Sequence, residues 1–417
     1  MLGAGTVGGG VYTLLAKSSL ANITKICVRD LKKPRDFTVN ASITSFTDSV
    51  EDLMNDPNIN CIIEVCGGTS LAKDVVLRAL SSGKHVVTAN KALIAQHMDE
   101  LTTALSTAPG PPQFCYEAAV CGGIPIINAL QSSYSSDSVT SISGICNGTT
   151  NYMLCKMEEG ADYSEVLAEA QALGYAEADP TADVEGHDVR SKIAILAKLG
   201  FGVTVPVSTV PTKGISSITS VDFEYAKVLK STIKLIGTAS LTSVHSEHDG
   251  PLSVYVSPKM VPLTHMLANA RGAGNAVQVD SSNMGTTGYI GPGAGRYPTA
   301  NSVVSDVLRI ARGESPATPF PKTGEVALQN DYTSMFYIRI SIQDGLGIIR
   351  RVGELAEKHG VSINSVLQND ITDREKVDFV VTTEACLLSQ VEGMCKDVEV
   401  EDFCNGGVLV MPIMGSD

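Results

Sequence analysis

Apolar positions in the first third of the chain recur in two alternating modes, short β-branched runs and stretches at helical spacing. After a glycine-rich start, Val11-Tyr12-Thr13-Leu14-Leu15 opens a helix, residues 24–28 read as a strand, and Cys61-Ile62-Ile63-Glu64-Val65-Cys66 reads as a buried strand ending at Gly67-Gly68. A helix is predicted through 72–80, a strand through 83–88 and a helix through 95–105. Past Pro109-Gly110-Pro111-Pro112 a strand covers 113–116. This alternation signals βαβ units and a parallel sheet. Only Met1 and Leu2 precede Gly3, so the pattern leaves the first, central strand missing. The expectation is a truncated chain or a late start that folds poorly, because a central strand supplies core contacts and ladder bonds.

From about residue 118 to 312 the pattern turns to mixed strands and helices with Ser, Thr and Gly-rich loops. Residues 313–333 are rich in Pro, Thr and Gly without periodicity, which suits a linker. The remainder reads strand 336–342, helix 348–359, strands 361–367 and 377–383, helix 385–395 and strand 407–412, the order of a ferredoxin-like βαββαβ module. The predicted fold class is α/β, in three parts. These are a Rossmann-type parallel-sheet domain over 1–117, an α+β catalytic and dimerisation domain over 118–312 whose helix 299–312 packs back on the first, and the C-terminal module over 334–417.

Composition narrows the partners. With 31 Lys plus Arg against 45 Asp plus Glu the formal charge is −14. Such a chain is poorly suited to nucleic acid, where binding rests on cations meeting phosphates, or to an acidic membrane surface. No run approaches the roughly 18 apolar residues of a membrane span, and the N-terminus has no secretory pattern. The ten cysteines form no C-x-x-C pair, and Cys27, Cys61 and Cys146 sit in apolar runs, as reduced core thiols do. The expected compartment is reducing, the cytoplasm, or a plastid if a transit peptide precedes this sequence.

Candidate chemistry begins at Gly3-x-Gly5-x-x-Gly8, where glycines permit a tight turn and let a pyrophosphate approach a helix N-terminus. An ordinary glycine loop is the alternative. Context favours the dinucleotide reading, since the next strand ends at Val28-Arg29-Asp30, where the adenosine ribose would lie. Asp30 suits NAD, whereas Arg29, with Lys32, Lys33 or Arg35, suits the extra phosphate of NADP. NADP is the weak preference. Further on, Gly174-Tyr175-Ala176-Glu177-Ala178-Asp179-Pro180 precedes Asp183-Val184-Glu185-Gly186-His187-Asp188-Val189-Arg190-Ser191-Lys192. Val189, Ile193, Leu196 and Gly200 recur at helical spacing, which sets Asp188 and Lys192 on one helix face. An exposed ion pair worth a few tenths of a kcal/mol is the ordinary alternative. The carboxylates in the preceding loop favour a grip on a cationic amino-acid substrate instead. Thr88-Ala89-Asn90-Lys91 closes a strand at the carboxyl edge, where open α/β sheets place ligands.

These residues resemble homoserine dehydrogenases of the longer kind that carry a C-terminal ACT domain. The most specific pieces are the ten residues from Gly144 to Met153, the stretch from Gly174 to Lys192, and Gly291-Pro292-Gly293-Ala294-Gly295-Arg296-Tyr297-Pro298-Thr299-Ala300. The resemblance implies NAD(P)-dependent interconversion of L-homoserine and L-aspartate 4-semialdehyde, on the way to threonine, methionine and isoleucine. By position Lys192 resembles the family's proton-transfer lysine and Lys91 the second active-site lysine. Glu177 would accept the substrate ammonium, with Asp188 and Asp183 completing the polar site. Gly3, Gly5, Thr6, Val7, Gly8, Arg29, Thr69, Lys91 and Gly293 fall at cofactor positions. Residues 116–124 resemble a loop that holds a monovalent cation, sodium, through Glu117, Val120, Gly122 and Ile124, and hard oxygen ligands suit such an ion. Asp344-Gly345-Leu346-Gly347 resembles the ACT loop, with Leu346 where proline is usual, and implies threonine as effector. A homodimer or homotetramer is implied as well.

A lysine acid working near neutrality needs its pKa brought from about 10.4 to about 8, roughly 3 to 4 kcal/mol against the cation. Burial and Lys91 push that way and Asp188 pushes back. Two rival readings stay open: a non-catalytic sensor of nucleotide and amino acid, and a dehydrogenase of a related amino-acid aldehyde.

Overall fold

The computed structural model describes residues 1–242, 250–314, 318–321, 324, 326–371 and 373–415. The chain divides into two compact units. One comprises residues 1–142, 191–210 and 274–325, the other residues 143–190, 211–273 and 326–417. The chain passes from one to the other within the strand Val139–Ile145 and within the helix His187–Phe201.

In the first unit, parallel strands lie in the order Ser45–Thr47, Lys25–Cys27, then Cys61–Glu64, His85–Thr88, Phe114–Cys115. The gap between Lys25–Cys27 and Cys61–Glu64 is filled, contrary to the sequence expectation of a missing central strand. Leu2 bridges Cys27 on one side and Glu64 on the other. Four backbone bonds complete the ladder, among them Leu2 N to Ile63 O at 2.8 Å and Cys27 N to Met1 O at 2.8 Å. Three residues suffice because the flanking strands are themselves only three and four residues long. Helix Thr6–Leu15 buries Val11 and Leu15 beside Ala300 and Val303 of helix Arg296–Arg312. An antiparallel hairpin, Gly274–Ser281 with Gly285–Pro292, belongs to the same unit.

In the second unit two eleven-residue strands, Ser231–Leu241 and Leu252–Pro262, pair antiparallel along their whole length. The C-terminal part has the βαββαβ order, with strands arranged Cys404–Ile413, Thr333–Ile342, Val377–Thr383, Ile363–Gln368, all antiparallel. Helices Ile348–Lys358 and Leu388–Glu399 cover one face, burying Ile338, Ile340, Leu355 and Val391 together. The second of these helices starts later than the periodicity predicts, because Cys386–Leu387 pairs as a short strand with Thr333 and Ser334.

The outer edge of Leu252–Pro262 meets three different segments. Leu252 exchanges bonds with Ala327 and Gln329, Val256 with Pro211 and Lys213, and Met260 accepts from Met414 N at 2.9 Å. The predicted linker is therefore tied down on the side of residues 327–329. Further back Pro319 O accepts from the Tyr116 hydroxyl and from Gln131 Nε2, both at 2.8 Å, and Phe320 packs against Phe114 and Tyr116. Residues 315–317, 322–323 and 325 of that predicted linker lie outside the described residues.

Candidate active site

At the carboxyl edge of the parallel sheet, Gly3 holds φ +102°, and a Cβ there would stand 2.8 Å from Val65 O. A Cβ on Gly8 would stand 2.7 Å from Gly3 O, so helix and turn close on one another only as glycines. Gly5, by contrast, faces open space at the N-cap of Thr6–Leu15, with no side-chain cap and no acidic residue in the first turn. The helix thus offers free N–H groups and positive dipole to an anion, which fits a dinucleotide pyrophosphate. Thr6 is exposed and Val7 half-buried beside it.

Two more turns reach this edge. Glu64, wholly buried, accepts from Cys66 N at 2.9 Å and Gly67 N at 3.2 Å through Oε1, and from the Thr88 hydroxyl at 2.6 Å through Oε2. That is why the strand does not run to Cys66 as predicted: Val65 N still donates to Leu2 O, but the carboxylate captures the N–H groups of Cys66 and Gly67. Burial and Glu64 together push the Cys66 thiol up to about 12. Thr88 Oγ1 accepts in turn from Asn90 N, and Asn90 Nδ2 donates to Gly68 O at 2.6 Å. Asn90 also caps helix Lys91–Thr107 by accepting from Leu93 N. Lys91 is therefore the first helical residue, where the periodicity predicts a helix only from 95. Thr69 is the N-cap of Ser70–Ser81. Arg29 is exposed; Arg35 donates to Asp30 O and Lys33 O, and its guanidinium lies over Phe46.

Gly293 lies so close to Asn275 that a Cβ would meet its amide at 2.1 Å. A Cβ on Gly122 would stand 2.4 Å from Gly293 O, which brings the 120–124 turn against Gly293. In that turn Cys121 and Gly122 hold φ of 53° and 43°. Buried Glu117 accepts from Ile127 N at 2.9 Å and Asn128 N at 2.8 Å, while its own N–H donates to Asp306. Burial, then Asp306, pushes the Glu117 carboxyl up to about 8, and burial pushes Asp306 up to about 6. With both Glu117 carboxylate oxygens bound to helix N–H groups, main-chain carbonyls are the donors best suited to a cation in this loop. Gly122 O accepts from Ser302 Oγ and Ile124 O from Ile126 N. Among the described residues no group of three or more His, Cys, Asp or Glu could hold a metal ion.

The acidic constellation converges in the second unit. Asn147 Nδ2 donates to Asp183 Oδ1 at 2.6 Å and to Asp188 Oδ2 at 3.0 Å. Its Oδ1 caps helix Gly148–Glu158 by accepting from Thr150 N. Asp188 is 7% exposed and Lys192, one turn later on the same helix, 8%. Glu177 is not drawn into this cluster: it is exposed, on a turn held by Thr149 Oγ1 donating to Tyr175 O and by Gln171 donating to Glu177 O. Asn147 and Glu64 hold these two clusters together, and sequence reasoning gave neither of them a role. Their signals were an Asn before Gly-Thr-Thr, a helix-start pattern, and a lone acid inside an apolar run.

Residues 3–109 match the family model of the homoserine dehydrogenase NAD binding domain, and residues 125–308 match that of homoserine dehydrogenase itself. The chain is 35% identical to the homoserine dehydrogenase of Neisseria gonorrhoeae, with 96% of this chain and 95% of that one aligned. The chain belongs to the homoserine dehydrogenase family. It is accordingly an NAD(P)-dependent oxidoreductase. The homoserine dehydrogenase of Synechocystis sp. is 40% identical over 92% of this chain and 91% of its own. A crystal structure of a homoserine dehydrogenase from Thiobacillus denitrificans superposes with a TM-score of 0.90 at 32% identity, covering 99% of this chain and 97% of that one. The S. aureus homoserine dehydrogenase superposes at 0.77 with 28% identity, covering 100% and 98%.

Proposed function

We propose that this chain interconverts L-homoserine and L-aspartate 4-semialdehyde, with Lys192 holding the proton that moves to and from the reacting oxygen. The observation that carries the assignment is the Asn147-bridged pair Asp183 and Asp188 at the start of the helix that bears Lys192. The bound dinucleotide supplies or takes up the hydride. As negative charge grows on the aldehyde oxygen, the Lys192 ammonium stabilises it and then donates its proton. Lys91, at the start of the capped helix Lys91–Thr107, is the second lysine at the reacting centre. Asp183 and Asp188 orient the substrate's polar end, and Glu177, on its exposed turn, accepts the substrate ammonium once substrate is bound.

Gly3, Gly5, Thr6, Val7, Gly8, Arg29, Thr69, Lys91 and Gly293 hold the dinucleotide, with Arg29 favouring NADP. The carbonyls of Glu117, Val120, Gly122 and Ile124 would hold a sodium ion, which would stiffen that turn. The βαββαβ module is an ACT domain with threonine as effector, in a homodimer or homotetramer. The catalytic domain spans 118–312, between the nucleotide-binding part and residues 334–417.

The test is NADP-linked oxidation of L-homoserine, followed at the nicotinamide absorbance, in the wild-type chain and in Lys192→Ala. Turnover falling by about 10²- to 10⁴-fold in the variant, with NADP binding retained, supports the reading. A folded wild type that binds NADP without turning over homoserine overturns it.

A further inference from the structure

Side chains at 275, 277 and 279 share one face of the strand Gly274–Ser281, and Val277 and Val279 are wholly buried there. Asn275 heads that row. It is 1% exposed, and neither its Oδ1 nor its Nδ2 has a hydrogen-bond partner among the described residues. A carboxamide in such a place gives up the hydration of a donor and an acceptor without replacing it, whereas a leucine of similar shape would give up nothing.

What touches the amide is Gly293, in the second glycine-rich turn. A Cβ built on that glycine would stand 2.1 Å from the amide carbon, 2.1 Å from Nδ2 and 2.3 Å from Oδ1. Three nearly equal distances set the flat of the amide against the glycine. Its bonding groups act in the amide plane, so they run alongside the turn rather than into Gly293. Asn275 is also the register partner of Gly291, where the turn begins.

The turn is held from other sides as well. Gly123 N donates to Pro292 O at 3.0 Å, and a Cβ on Gly122 would stand 2.4 Å from Gly293 O. Gly295, at φ +116°, then leads into helix Arg296–Arg312. That helix packs on the helix of the first glycine motif, since a Cβ on Gly10 would meet Arg296 O and Ala300 Cβ, each at 2.9 Å. The 291–295 turn is thus packed between the 122–123 segment and the two helices, with the unspent donor and acceptor of Asn275 alongside it.

We propose that Asn275 is a positioning residue for the dinucleotide: its amide engages the main chain of the 291–295 turn in the cofactor-bound form and not in the free form. The inference rests on the role proposed above for Gly293. A ligand shifts a two-state element only by binding its states unequally. An amide that is unsatisfied in one state and bonded in the other supplies that inequality, and because it already touches the turn, a small displacement is enough. The free chain is therefore destabilised by a group that cofactor binding needs.

Asn275→Leu replaces the amide with an apolar group of similar shape. The test compares wild type and variant by thermal unfolding of the free chain, by unfolding at saturating NADPH, and by fluorescence titration with NADPH. The free variant is expected to unfold at the wild-type temperature or above it. Its Kd for NADPH is expected to rise by about tenfold, as for hydrogen bonds made in one state alone, and the upward shift in Tm that NADPH gives is expected to shrink with it. In oxidation of L-homoserine, KM for NADP is expected to rise more than kcat falls. Should Asn275→Leu not fold, Asn275→Ala removes the amide without adding bulk and carries the same measurements.

A wild-type Kd for NADPH in the folded variant overturns the proposal, and so does a loss of Tm that is equal in the two forms or larger in the free one, since the amide would then be structural alone. Binding by wild type and variant alike would leave the reading of Gly293 standing and remove only Asn275. A wild type that does not bind NADPH would sink both.

Discussion

Asn147 Nδ2 lies 3.0 Å from Asp188 Oδ2 and holds that buried carboxylate in the same grip as Asp183. One amide thus screens two like charges from each other while its carbonyl oxygen caps a helix. Asn147→Ala is expected to lose about 1–3 kcal/mol of stability from the cap and from the amide's bonds to the two carboxylates. It is also expected to lower kcat/KM by about 10²-fold through misplacement of both acids. Asn147→Ser keeps a capping oxygen, so denaturant titration is expected to show most stability restored while steady-state kinetics stay impaired. Equal recovery of both would reduce Asn147 to a cap.

Gly5 and Gly8 separate binding from folding. A methyl at Gly5 meets no protein atom, so Gly5→Ala is expected to leave Tm nearly unchanged; on the proposed reading the methyl enters the pyrophosphate's space and weakens NADP binding tenfold or more. Gly8→Ala forces Cβ to 2.7 Å from Gly3 O and is expected to cost about 1–3 kcal/mol. Thermal unfolding and NADPH fluorescence titration on both variants check the contrast; similar Tm losses would refute it.

Glu64 anchors two cofactor-side turns at once. Glu64→Ala leaves Cys66 N, Gly67 N and the Thr88 hydroxyl without their acceptor, at about 1–3 kcal/mol for each donor that stays buried. NADPH affinity is expected to fall along with stability. Glu64→Gln keeps an oxygen for the two N–H groups and is expected to be the milder lesion on both counts. Chemical denaturation and cofactor titration would show the ranking, and a reversed order would count against it.

Lys259 gives a pH signature. Its Nζ is buried against Thr238 Oγ1 at 2.7 Å and Tyr255 OH at 3.0 Å, and burial lowers its pKa to about 7. Between about 7 and the unfolded value near 10.4 the unfolded chain binds the extra proton, so this group makes stability rise with pH across that window. Below about 7 both states are protonated and its contribution is flat, at its least favourable level. Thiols such as partly buried Cys61 and buried Cys395, each pushed up to about 12 by desolvation, act oppositely above pH 9. The difference between wild type and Lys259→Met therefore isolates the effect. Tm measured from pH 6.5 to 9 is expected to climb more steeply in wild type; parallel curves would contradict it.

The elements that the sequence made legible are those whose pattern is set locally. Strand Val377–Thr383 begins and ends where its apolar run does, and helix Ile348–Lys358 follows its amphipathic spacing. Where prediction and structure part, a distant partner decides. The strand after Asn60 does not reach Cys66 because the Glu64 side chain claims the amides of Cys66 and Gly67, and the helix after Asn90 begins at Lys91 because Asn90 caps it. Leu2 serves as a central strand because two short neighbours need little more. In the candidate site, spacing set Asp188 and Lys192 on one helix face, but it said nothing of Asn147, whose bonds to Asp183 and Asp188 span 36 and 41 residues.

The strand Leu252–Pro262 is buried almost from end to end, and its outer backbone is stitched at Leu252, Val256 and Met260 by residues far apart in the chain, with Pro258 offering no N–H between the last two. An edge of that kind is sealed only after synthesis has passed residue 414. Until then the nascent polypeptide carries an apolar β-ribbon open to pairing with any other chain. Chaperone demand and inclusion-body formation in a heterologous host would accordingly be governed by this ribbon, and a version ending before residue 327 would be prone to aggregate.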